Sequence, residues 1–131
     1  MKKTGILNRD ISYVTAGMGH TDTLTIADAG LPIPDGPVRI DLAVKEGVPS
    51  FLDVLEAVLS ELKVQKMTLA SEIALKSPAL YDKVRLLANG VEIELIPHEE
   101  LKQKTRDCMA VIRTGEFTSY ANIILESGVV F

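Results

Sequence analysis

Short apolar runs alternate along the whole chain with polar stretches rich in glycine and proline, and the periods of those runs predict its elements. Leu7, Ile11, Val14 and Met18 recur at helical spacing, with Asn8 as a cap and Gly17 or Gly19 as a stop. Thr23 to Ala27 reads as a buried strand. The next ten residues, DAGLPIPDGP, hold three prolines and two glycines and read as a loop. VRIDLAV is a second strand. Ser50 and Asp53 have the spacing of a capping box at the start of the helical stretch FLDVLEAVLSELK. KMTLA is a third strand. Ser77 and Pro78 mark the N-cap and first position of a helix through PALYDKVRLLANG, stopped at Asn89-Gly90. VEIELI is a fourth strand, HEELKQKT a short helix, CMAVIRT a fifth strand and ANIIL a sixth.

Strands alternating with helices predict a three-layer α/β/α architecture. Its sheet is mostly parallel and roughly six-stranded, within a single domain spanning 1–131. In open sheets of this kind ligands bind beyond the carboxyl ends of the strands. Asp28 follows the first strand, His98 the fourth, and the loop GEFTSY the fifth. A carboxylate, an imidazole and a phenol are therefore expected at one edge.

Composition narrows the class without changing that picture. With 47% hydrophobic and 24% charged residues, the 131-residue chain is expected to fold as a globular protein. A net charge of −4 and the lack of any long basic cluster argue against nucleic acid as a partner. The single cysteine, Cys108, precludes an internal disulfide, fits a reducing compartment and reads as a buried structural thiol. Asn8, Arg9 and Asp10 interrupt any apolar signal core, and no window approaches the ~20 apolar residues of a membrane span. The expectation is a soluble cytoplasmic protein without a membrane partner.

The candidate chemistry lies in turns. Both histidines, His20 and His98, sit beside strands rather than on apolar helix faces, and imidazole is the side chain best suited to move protons near neutral pH. Each could equally cap or pack a loop. Asp28 could bind a ligand or merely brace the turn DAG, and Asp35 reads as a turn residue. TGEFTSYAN sets Thr114, Glu116, Thr118, Ser119, Tyr120 and Asn122 between two apolar strands, which suits a hydroxyl-rich ligand. His20, Asp22, Asp28 and His98 offer metal-binding atoms, but no HxH, HExxH or CxxC spacing accompanies them, and no metal is expected. GMGHTD lacks the lysine and spacing of a phosphate loop. These patterns reach a polar, cofactor-free pocket and name no substrate.

Taken together, KKTGILN, GHTD, IADAGLPIPDG, HEELK and IRTGEFTSYANIILESGVVF closely resemble the D-ribose pyranase family, which includes the fucose mutarotases. The likeness covers nearly the whole chain and is weakest over residues 54–90. Position 119 is Ser where the family pattern has Pro, a departure expected to loosen the loop before Tyr120. The resemblance implies an isomerase that interconverts the pyranose and furanose forms of D-ribose and supplies the furanose to ribokinase. It implies His20 as the catalytic proton donor, and Asp28, His98, Tyr120 and Asn122 as sugar-binding residues, with Lys102 a weaker candidate. It further implies no metal or organic cofactor, and a homodecamer of two pentameric rings. A fucose-type mutarotase, or a sugar-binding accessory protein without catalysis, is the alternative.

An extended strand over residues 23–27 spans ~17 Å, which sets His20 near its amino end and Asp28 at its carboxyl end. A single sugar ring cannot bridge that distance. His20 is therefore expected to enter the site of a neighbouring subunit.

Overall fold

A computed structural model describes all residues, 1–131. Its centre is a six-stranded sheet of β1 (Thr23–Ala27), β2 (Val38–Asp41), β3 (Val64–Ala70), β4 (Glu92–Ile96), β5 (Ala110–Arg113) and β6 (Ile123–Ser127), in the order β2-β5-β1-β6-β3-β4. β5 runs parallel to both β1 and β2, and β3 runs parallel to β4. β6 lies antiparallel between β1 and β3 and joins the two parallel halves. The sheet is thus mostly parallel, as the pattern predicts.

The helices are α1 (Arg9–Gly17), α2 (Phe51–Leu59), α3 (Glu72–Lys76), α4 (Pro78–Ala88) and α5 (His98–Lys104), followed by a 3₁₀ turn over Thr105–Asp107. The predicted ends have physical causes. Asn8 accepts from the N–H groups of Asp10 and Ile11, Ser50 and Asp53 close a reciprocal capping box, and Asn89 ends α4 in the left-handed conformation at φ 47°. The one unpredicted helix is α3, which starts directly off β3 with no intervening loop.

The strand alternation of β1 divides the core. Leu24 and Ile26 are fully buried and share a cluster with Phe51, Val54, Leu55 and Val58 of α2, Ile73 of α3 and Val84 of α4. On the opposite face Thr25 donates to Cys108 Sγ at 3.2 Å, while Ala27 packs with Leu31 and Val111. α5 covers that face through Leu101, clustered with Ile96, Cys108 and Ile124. Cys108 is buried, and its surroundings push the thiol pKa up. No helix is long and apolar enough to cross a membrane.

Candidate functional site

The carboxyl ends of β1, β4 and β5 meet around one open depression of about 340 Å³. Asp28, Gly30, Leu31, Pro32, His98, Lys102, Ser119 and Tyr120 line it. A second hollow of about 430 Å³ shares Asp28, Gly30 and Ser119 with it and extends the site toward Arg113 and Glu116.

Asp28 leaves β1 under tight control. Its N–H donates to Asn122 Oδ1 at 2.9 Å, and Asn122 Nδ2 returns a bond to Asp28 Oδ2 at 2.9 Å. Asn122 is fully buried, so it holds the carboxylate from behind. The other carboxylate oxygen accepts from Gly30 N–H at 2.9 Å. Asp28 thus braces the DAG turn, as one reading of the sequence had it, and also lines the depression. Arg113 ties the same segment down, donating from Nε to the Ala29 carbonyl at 3.0 Å while Nη1 pairs with Asp41 at 3.1 Å.

His98 opens α5, and its backbone N–H donates to both carboxylate oxygens of Glu72 at 3.2 and 3.1 Å. The Glu72 carboxyl is held below its ordinary value, first by its own backbone N–H, then, against burial, by those of His98 and the Ser71 hydroxyl. The His98 ring meets Tyr120 edge-on, with centroids 5.2 Å apart and planes at 84°. Lys102 pairs with Glu99 at 2.6 Å along the rim.

The loop that carries Tyr120 is fastened at several points. The Glu116 carbonyl accepts from Ala29 N–H at 2.9 Å. Its carboxylate accepts from the Thr118 hydroxyl at 2.7 Å and, at the start of α2, from Phe51 N–H at 3.1 Å. Burial pushes the Glu116 carboxyl up, but these bonds and the N–H groups of Thr118 and Phe117 outweigh it and hold it below the ordinary value. The Ser119 carbonyl accepts from the buried Ser77 hydroxyl at 2.8 Å, which anchors the loop just before Tyr120. Tyr120 itself adopts φ 63°, a conformation that non-glycine residues rarely hold without such support.

His20 is not in this depression. It sits before β1 in a turn where Gly19 N–H donates to Asp22 Oδ2 at 2.8 Å, and Thr21 takes φ 69° while donating to the Ser127 carbonyl at 2.9 Å. Its Nε2 lies 3.1 Å from Gln65 Oε1, at the amino end of β3. Within one chain, Asp28, His98 and Tyr120 come together with Asn122 behind them, and His20 projects from the opposite end of β1. Of the supports of the site, Glu72 carries no motif, and Arg113 lies within the IRTGEFTSYAN stretch without being singled out there. Glu116 lies within the polar loop singled out in the sequence, but its role as a clamp shows only in the tertiary contacts. Nowhere do three His, Cys, Asp or Glu side chains converge to hold a metal ion.

A sequence model of the RbsD / FucU transport protein family matches residues 1–130. The chain is 55% identical over 131 residues to D-ribose pyranase from Oenococcus oeni, covering 100% of both chains. It is 52% identical over 131 residues to D-ribose pyranase from Geobacillus kaustophilus, covering 100% of this chain and 96% of that one. The structure of Bacillus subtilis RbsD complexed with D-ribose matches it with a TM-score of 0.97 at 48% identity, over 100% of both chains.

Proposed function

Since the chain belongs to the RbsD / FucU transport protein family, we propose that it is a D-ribose pyranase, an isomerase interconverting the pyranose and furanose forms of D-ribose. The observation that carries this reading is the convergence of Asp28, His98 and Tyr120 on one polar depression. The fold around it matches that of a relative complexed with D-ribose.

Ring opening needs a base to take the proton of the anomeric hydroxyl and an acid to protonate the ring oxygen. The open aldehyde then recloses through a different hydroxyl. Asp28, with lone pairs left after its bonds to Asn122 and Gly30, accepts from sugar hydroxyls. His98 and Tyr120 fix the ring beside it, and Asn122 keeps the carboxylate in place. His20 donates the catalytic proton. Because it stands at the other end of β1, the His20 of each site comes from a neighbouring chain, in a homodecamer of two pentameric rings. Acid–base assistance of this kind is worth ~100- to 10,000-fold and needs no cofactor. The enzyme works in the cytoplasm, as one domain over residues 1–131, and passes its furanose to ribokinase.

NMR saturation transfer on D-ribose tests the reading, since it measures exchange among pyranose, open-chain and furanose forms directly. The expected result is faster exchange with the protein and none of that gain with His20→Ala. Equal rates with and without the protein overturn it. Faster exchange between the anomers of L-fucose alone transfers the assignment to the mutarotase branch.

A further inference from the structure

His20 is held by a chain of two hydrogen bonds. Its Nε2 lies 3.1 Å from Gln65 Oε1, and Gln65 Nε2 donates to Glu126 Oε1 at 2.6 Å. The polarity of this chain follows from chemistry. A carboxylate only accepts, so Glu126 takes the NH₂ end of the Gln65 amide. The carbonyl end is then the one that faces His20, and a carbonyl only accepts. The contact is a hydrogen bond only if His20 carries a proton on Nε2.

We propose that Glu126 and Gln65 are positioning residues that fix His20 with its proton on Nε2, leaving Nδ1 as the nitrogen that exchanges a proton with the sugar. The proposal rests on the reading of His20 as the catalytic donor and adds which nitrogen acts and what orients it.

Local structure supports the arrangement. Gln65 lies at the register shift between Val64 and Lys66, where the pairing of β3 with β6 is irregular and two side chains crowd one partner. Gly128 lies against Gln65, and a Cβ there would stand 3.0 Å from Gln65 Cβ and 3.3 Å from its Oε1. The bare backbone at 128 thus leaves room for the amide. Lys66 is paired with Glu94 at 2.8 Å, which leaves Glu126 to Gln65 as its hydrogen-bond partner.

The test is imidazole ¹⁵N NMR on the whole protein at about pH 8.5, some two units above the ordinary histidine value. With only two histidines, His98→Gln assigns the His20 signals by elimination. The expected result is a predominant Nε2–H tautomer in the unaltered protein. Glu126→Gln lets the Gln65 amide turn either end to His20, so it should give a tautomer mixture. It and Gln65→Leu should each lower kcat about 10- to 100-fold with KM little changed. The double variant Q65E/E126Q keeps an acceptor toward His20 and a donor behind it, and should regain most of the lost kcat. A predominant Nδ1–H tautomer, or Gln65→Leu at full rate beside an inactive His20→Ala, overturns the positioning role alone. His20→Ala at full rate overturns the catalytic reading of His20 and this role with it.

Discussion

Asn122 shows how a single buried side chain sets the chemistry of a half-buried one. Its amide is the only side-chain partner of Asp28, and it satisfies both the backbone and the carboxylate of that residue. Asn122→Ala leaves the Asp28 N–H without an acceptor and frees the carboxylate to swing. Denaturant unfolding should show a loss of about 1–3 kcal/mol. Steady-state kinetics should show KM for D-ribose raised about 10-fold, the equivalent of one lost charge-assisted bond. At this scale Asp28, His98, Tyr120 and Asn122, which the fold brings together, were already singled out in the sequence. It was silent on Gln65 and Glu72, which look like ordinary surface residues of a strand and a short helix. Their partners, Glu126 and His98, lie 61 and 26 positions away, and only the folded chain joins them.

Among the elements, the decisive piece is the loop from Thr114 to Tyr120 and the turn packed against it. Gly115 donates to the Pro49 carbonyl at 2.9 Å, and its own carbonyl accepts from Gly47 N–H at 2.7 Å. A Cβ at 115 would stand 2.5 Å from the carbonyl oxygens of Lys45 and Val48, and both are backbone atoms that cannot swing away. Gly115→Ala should therefore push the turn off the loop, destabilise the fold by about 1–3 kcal/mol and lower activity through Tyr120, as thermal unfolding and ribose exchange would show. Glu116 makes the same loop sensitive to acid. Its folded pKa lies below the ordinary value of 4.5, so its contribution is fully present above that value and is lost as pH falls through the folded one. Equilibrium unfolding from pH 7 downward should show stability declining below about pH 4.5. Glu116→Gln should be less stable at neutral pH and show a shallower acid slope.

Most elements could be read from periodicity and caps, and two features could not. α3 is five residues long, too short for a helical period to register, and it abuts β3. The antiparallel course of β6 has a signal that periodicity does not use. Residues 114–122 carry no helix between β5 and β6, whereas a parallel crossover needs a dozen residues or more.

The whole molecule poses the question of assembly. Thr23 to Ala27 is a strand with four of its five residues buried, and the residues that would share one sugar stand at its two ends. That separation was already legible from the count of residues between His20 and Asp28, because an extended strand has a fixed rise. The same count led to the expectation that a neighbouring subunit supplies His20. In the proposed enzyme, His20 and the Asp28 depression of different chains act as one site. Two individually inactive variants, His20→Ala and Asp28→Asn, test this when co-expressed so that they assemble together. If each site draws its histidine from one subunit and its pocket from another, a one-to-one mixture rebuilds about a quarter of the sites with both parts intact. NMR exchange on D-ribose should then recover to about a quarter of the unaltered rate. A co-assembled mixture as inactive as either parent would contradict the account and confine His20 and Asp28 to one chain.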